Sequence, residues 1–184
     1  HRQRSHEVTA EELRALVREA NVLIPASHQD MLLAILDLEK VTVDEVMVPR
    51  NRIEGVDLDT DWDDIVRQLT GGRYTRLPAY RGSLDNVIGI VHIRRVLNLM
   101  HENRLDRAAF DQLIVEPYFI PAGTPLNTQL LNFKQVKRRL GLVVDEYGDI
   151  QGLVTLDMIL EEIVGDFTTR ALGQIEDVHP APDG

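Results

Sequence analysis

Three groups of side chains in this sequence could do chemistry by type and spacing. Glu161, Glu162 and Asp166 gather carboxylates on one short stretch, an arrangement that can hold magnesium through carboxylates and water, although a solvated helix face is the commoner use of such a run. Asp145, Glu146 and Asp149 could pair as general acid and base, yet they surround Tyr147-Gly148, and Asp, Tyr and Gly together are ordinary turn chemistry. His6, His28, His92 and His101 stand with no second histidine at metal-ligand spacing, and His92, after an apolar run, reads as a cap or core histidine. No Ser-His-Asp arrangement, phosphate-cradling Gly-Lys loop or metal-protease helix appears, so the expectation is a chain that is not an enzyme.

Composition narrows the partners. At 184 residues, 43% of them hydrophobic, the chain can fill one large core or two small ones packed together. Thirty acidic and twenty basic side chains leave a formal charge of -10, which repels a phosphate backbone and argues against nucleic acid. The absence of cysteine excludes disulfides and thiolate metal sites and points to a reducing compartment, the cytosol. Apolar runs such as Val87 to Val91 and Gly141 to Val144 fall far short of the roughly 20 residues that span a bilayer. A start at His1 with no leader and an end in Asp-Val-His-Pro-Ala-Pro-Asp-Gly lead us to expect an excised fragment with a flexible tail.

The elements that position these groups follow from periodicity. Thr9 and Glu12 predict a capping box before an amphipathic helix with Leu13, Leu16, Val17 and Ala20 on one face; after Pro25, a second helix carries Met31, Leu32, Ile35, Leu36 and Leu38 towards Lys40. From Val41 the chain says nearly the same thing twice. The first unit opens at Val46-Met47-Val48-Pro49-Arg50, extended before proline, and continues as a strand near Ile53 to Leu58. A helix from Trp62 to the Gly71-Gly72 stop follows, with its cap at Thr60 or Asp61. Next comes a hairpin of Arg76 to Tyr80 and Val87 to Val91, its turn holding Gly82, Ser83, Asp85 and Asn86, and then a helix from Ile93 to Met100. The second unit opens at Ile114-Val115-Glu116-Pro117 and runs through a strand at Tyr118 to Ile120. Its helix follows Thr124-Pro125, with Leu126, Leu130, Leu131 and Phe133 inward. The hairpin of Gly141 to Asp145 and Ile150 to Val154 should have a turn two residues shorter, and the last helix, Leu156 to Val164, should close on Gly165. Two such units, each a three-stranded sheet with two helices, are too small to stand alone and should pack sheet to sheet in an α/β (α+β) fold, with a ligand cleft between them.

The paired pattern resembles a tandem CBS (cystathionine-β-synthase-type) module. Asp44-Glu45-Val46-Met47-Val48-Pro49-Arg50, Val143-Val144-Asp145-Glu146-Tyr147-Gly148 and Gly152-Leu153-Val154-Thr155-Leu156 resemble the CorB/CorC (HlyC-like, CNNM) magnesium and cobalt transport family over residues 10 to 168. The resemblance implies juxtamembrane-type helices over 1–40, a first CBS domain over 41–105, a second over 106–168 and a tail over 169–184. It further implies a homodimer through the CBS faces, a transmembrane domain outside this stretch, and an adenine nucleotide, ATP or AMP, possibly with Mg²⁺, that regulates ion export from the cytoplasmic side of an inner (plasma) membrane protein. Carried over residue by residue, Thr155 matches the hydroxyl that contacts ribose or phosphate, Thr75-Arg76-Leu77 the step whose arginine holds phosphate, and Val48 and Arg52 the pocket lining from the first strand. Thr155 ends a strand at a helix N-terminus, where amides and dipole favour anions, and Arg76 adds a forked charge.

This sequence departs from the family pattern in two places. Met158 stands where the family places a ribose-binding aspartate, and Asp157, one position earlier, is turned by about 100° on a helix. In the first repeat the matching pair is His92 and Arg95, so at most one nucleotide site per chain is expected. Two readings stay open for Thr155, ligand contact or simple N-cap. Two also stay open for the chain: a nucleotide-sensing regulatory module, or a structural dimerisation module with a degenerate site.

Overall fold

The computed structural model describes residues 7–165. The expected tail over 169–184, and with it His6 and Asp166, lies outside the described residues.

Thr9 starts the first helix, α1 (Ala10–Glu19), by accepting the Glu12 amide on its hydroxyl oxygen at 3.2 Å. α1 lies on α2 (Ala26–Asp37) through an Arg14–Asp37 ion pair and a 2.9 Å bond from Gln29 Nε2 to the Val17 carbonyl. A 3-10 turn, Leu38–Lys40, then plants Leu38 in the core below. Thr42 opens the short helix α3 (Val43–Val46) with a full capping box, its amide donating to the Glu45 carboxylate at 2.7 Å.

The repeat is present in the topology. In the first unit β2 (Val56–Asp57) runs parallel to β3 (Arg76–Arg81), which pairs antiparallel with β4 (Ser83–His92); α4 (Trp62–Thr70) and α5 (Ile93–His101) cover the sheet. In the second, β5 (Phe119–Pro121) is parallel to β6 (Leu140–Val144), which is antiparallel to β7 (Ile150–Thr155), with α7 (Leu126–Val136) and α8 (residues 156–165) as the helices. A five-residue helix unforeseen in the sequence, α6 (Arg107–Asp111), sets Phe110 in the core of the first unit, 5.6 Å from the Trp62 ring.

The opening segment of each unit pairs with the other unit instead of its own. β1 (Val48–Pro49) lies antiparallel on β7, giving a four-stranded sheet β1-β7-β6-β5, and Val115 exchanges two backbone bonds with Ile90 of β4 at 2.8 and 2.9 Å. Proline has no N–H for a second neighbour, so Pro49 suits the edge it occupies. Two glycines admit these crossings. A Cβ on Gly89 would sit 2.2 Å from the Val115 carbonyl oxygen, and one on Gly152 would sit 2.4 Å from Met47 Sδ and 2.6 Å from the Val48 oxygen. The faces of the two hairpins meet in a shared cluster of Ile90, Leu140, Leu142, Ile150 and Leu153, the expected sheet-to-sheet packing.

Three local expectations are corrected. Ser83, Asp85 and Asn86 belong to β4, because Gly82 at φ +75° makes the turn in one residue and two register shifts absorb the slack. The second turn is therefore the longer of the two, not two residues shorter: residues 145–149 separate β6 from β7 where Gly82 alone separates β3 from β4, and Asp145 Oδ1 accepts the amides of Tyr147 and Asp149 at 3.0 and 2.8 Å. On α7, Leu126 and Phe133 are buried but Leu131 is 61% exposed; buried Gln129 takes the inner face, at helical spacing from Leu126 and Phe133.

Candidate functional site

The end of β7 meets the start of β3 across the interface between the repeats, and a cavity of about 370 Å³ opens there. All eight residues singled out in the sequence line it: Val48, Arg52, Thr75, Arg76, Leu77, Thr155, Asp157 and Met158. Four stretches of chain bring them. β1 brings Val48 across from the other repeat, the 3-10 turn Arg50–Arg52 brings Arg52, the first residues of β3 bring Arg76 and Leu77, and the β7–α8 junction brings Thr155, Asp157 and Met158.

Thr155 is an N-cap: its hydroxyl oxygen accepts the Met158 amide at 3.1 Å. A hydroxyl has one proton to donate besides its acceptor lone pairs, so capping leaves Thr155 Oγ1 able to donate to an acceptor in the cavity. Cap and ligand contact are thus compatible. Arg76 is half-buried beside it; partial burial, then repulsion from Arg139, Arg94 and Arg95, lower its pKa from the usual arginine value, while Asp157 acts the other way. A guanidinium stays protonated regardless, so this is a cation held among cations. Asp157 reaches the wall despite its turn away from the position of Met158, because both lie in the first turn of α8, at the cavity mouth. His92 caps α5 in the same way, its Nδ1 accepting the Arg94 amide at 3.2 Å.

Sequence reasoning missed Ile53, Glu54, Arg73, Tyr74, Arg139, Leu140 and Leu153 in the lining. Arg139 and Leu140 had a signal. Arg76 pairs with His92 in one hairpin and Leu140 with Thr155 in the other, so aligning the repeats puts Arg139-Leu140 on Thr75-Arg76.

A model of the CBS domain family matches residues 43–102 and 112–165. The structure of the CBS domain of a bacterial CNNM/CorC family Mg²⁺ transporter in complex with ATP is 32% identical, covers 75% of this chain and 97% of its own, and superposes with a TM-score of 0.67. This chain is a CBS-domain pair of the CNNM/CorC family. A CBS-domain pair with bound AMP from Klebsiella pneumoniae is 51% identical, with a TM-score of 0.65 over 68% of this chain and 99% of that one. The UPF0053 inner membrane protein YfjD of Escherichia coli K12 is 48% identical over 98% of this chain, and the chain spans 42% of its length. Among the described residues of the CBS pair, no helix is long and apolar enough to cross a membrane.

Proposed function

We propose that this CBS pair is the cytoplasmic regulatory module of a membrane Mg²⁺/Co²⁺ transporter of CorB/CorC type, and that it binds an adenine nucleotide in the cavity between the repeats. The observation that carries the reading is the convergence of Thr155 and Arg76 on one cavity of a size suited to a nucleoside. An adenine ring would lie against Val48, Ile53, Leu77 and Leu153, with phosphate towards Arg76 and the start of α8. The relatives solved with AMP and with ATP support the ligand class. Mg²⁺ keeps most of its water and is held by one or two carboxylates plus substrate phosphates; Glu54 and Asp157 are the cavity carboxylates that would face a metal carried on the phosphates.

A regulatory role requires a ligand that binds two states unequally. α8 starts at the cavity with Thr155 and Met158, and its Glu162 lines a cleft with Arg14, Arg18 and Asp37 of the N-terminal helices, a physical connection from site to helices. Exposed Leu97, Leu131 and Leu160 on α5, α7 and α8, with Tyr147 at the second hairpin turn, offer apolar area for a second copy. Met158 at the ribose position favours a second reading, a dimerisation module whose nucleotide site has degenerated.

Calorimetric titration of AMP, and of ATP with and without Mg²⁺, tests the two. Saturable binding abolished by Thr155→Ile and by Arg76→Ala supports sensing. No binding at millimolar nucleotide, with a dimer in sedimentation, leaves the structural reading.

A further inference from the structure

A second cavity, of about 310 Å³, lies across Arg76 from the first and is related to it by the internal repeat. The strand registers give the correspondence. His92 pairs with Arg76 as Thr155 pairs with Leu140, so His92 stands for Thr155 and Arg95 for Met158. By the same register Lys137-Arg138-Arg139 stands for Arg73-Tyr74-Thr75, and Val115 beside Ile90 stands for Val48 beside Leu153. At every place where the first cavity offers a hydroxyl or an aromatic ring, the second offers a nitrogen base or a cation.

We propose that this second cavity is a binding site for phosphoryl oxyanions and takes no nucleoside. Its lining includes Arg76, Arg95, Lys137, Arg138 and Arg139 and contains no carboxylate. This is a concentration of positive charge in a chain whose formal net charge is -10. Several cations elsewhere take carboxylate partners, among them Arg50 with Asp85 at 2.8 Å and Arg81 with Asp59 at 3.0 Å. Among the described residues, Arg76, Arg95, Lys137 and Arg139 have no carboxylate at ion-pair distance. Asp157 attracts Arg76 from beyond that distance, but the repulsion among the other cations destabilises the fold, and a multiply charged anion relieves it. The backbone keeps the cluster in place: Lys137 ends α7 in the left-handed conformation at φ 56°, and Arg138 donates to the Glu116 carbonyl. Burial first, and then the fields of Arg76, Arg94, Arg95 and Arg139, push the His92 pKa down, in keeping with the cationic lining. A ribose finds no acceptor pair in such a lining, because guanidinium and ammonium groups only donate.

Phosphoryl groups can come from two sources: a free oligophosphate, or the tail of a nucleotide whose nucleoside sits in the first cavity, since Arg76, Arg139 and Leu140 line both. The second source rests on the proposed nucleotide function; the first does not. Tripolyphosphate, AMP and ATP are titrated at fixed ionic strength into the whole chain, into an Arg95→Gln/Lys137→Asn double variant, and into Thr155→Ile. Gln suits a helix and Asn tolerates left-handed backbone, so the double variant should melt like the wild type.

The proposal expects saturable tripolyphosphate binding that weakens about tenfold, ~1.4 kcal/mol, in the double variant and is unchanged in Thr155→Ile. A nucleotide tail is the source if ATP binds tighter than AMP and falls to the AMP level in the double variant. A free oligophosphate is the source if tripolyphosphate and AMP bind together without competition. Tripolyphosphate binding with no nucleotide binding at all would leave this site standing and sink the nucleotide function. Unchanged affinity of the double variant for both tripolyphosphate and ATP, or no tripolyphosphate binding, overturns the proposal.

Discussion

Thr155 and His92 occupy the same place in the two repeats: each ends a hairpin, and each caps the helix that follows, Thr155 Oγ1 accepting the Met158 amide and His92 Nδ1 the Arg94 amide. The shared structural duty separates what the cap does from what the cavity does. Thr155→Asn keeps a good N-cap while putting a larger amide into the cavity, whereas Thr155→Val removes the cap oxygen. The valine variant should lose about 1 kcal/mol of stability, a fall of about 2–4 °C in Tm for a domain of this size; the asparagine variant should hold its Tm. Both should weaken AMP binding. A Tm loss in the asparagine variant equal to that of the valine variant would show that packing around Thr155, and not its hydrogen bond, is what the helix needs.

The pairing of each opening segment with the other repeat predicts two glycine sites of unusual sensitivity. Gly89→Ala would drive a methyl group into the Val115 carbonyl, and Gly152→Ala into Met47 and the Val48 carbonyl, both backbone crossings that cannot move aside cheaply. Each should cost about 1–3 kcal/mol or more, read as a fall in the urea midpoint. Gly123→Ala is the comparison, since nothing lies within 4 Å of a Cβ there; its cost is confined to the positive φ of 81°. Similar losses at all three positions would mean that the crossings are not tight.

Much of this arrangement was legible because the chain repeats itself. The repeat does not by itself single out Thr155 or Arg76, which align with His92 and Leu140; the resemblance to the CBS motifs marks them and Val48, and all three reach one cavity. The exchange of opening segments was not legible, because pairing of Val48 with Leu153 or Val115 with Ile90 is a non-local choice that leaves no local pattern. Phe110 was missed for the opposite reason: a helix of five residues is too short to show a period, although its one aromatic is fully buried. Leu131 was misread because it adjoins Leu130, yet the step of about 100° per residue carries it off the stripe of Leu126, Gln129 and Phe133.

His92 supplies a pH dependence. Burial, then repulsion from Arg76, Arg94, Arg95 and Arg139, lower its folded-state pKa below the ordinary histidine value of 6.5. Between the unfolded and folded pKa values the unfolded chain binds more protons, so stability falls as pH drops below about 6.5 and levels off once the folded state also protonates. Asp37, Asp57 and Asp85 shift downward as well, but from an ordinary value of 3.8, so their contribution is lost only at lower pH. Melting temperatures from pH 7.5 to 5 should decline, and His92→Asn, which keeps a cap acceptor without a titrating group, should flatten that decline. An identical slope in the variant would assign the loss to other groups.

Gln129 is the buried polar side chain of the second core, 1% exposed, with Nε2 donating to the Tyr118 hydroxyl at 3.2 Å and Oε1 without a partner among the described residues. A buried acceptor left unsatisfied costs about 1–3 kcal/mol, whereas the bond made by the other end of the amide returns about 1 kcal/mol. Gln129→Met has similar length and flexibility, fills the same space between Leu126 and Phe133, and removes both terms. It should therefore leave Tm unchanged or raise it by a few degrees. Gln129→Glu keeps the shape but buries a charge with no cation beside it, and should destabilise strongly at pH 7 with partial recovery at pH 5, where the carboxyl can hold its proton. If the methionine variant instead melts well below the wild type, the Gln129–Tyr118 bond is worth more than the orphaned oxygen costs, and the amide is a net structural asset to the second repeat.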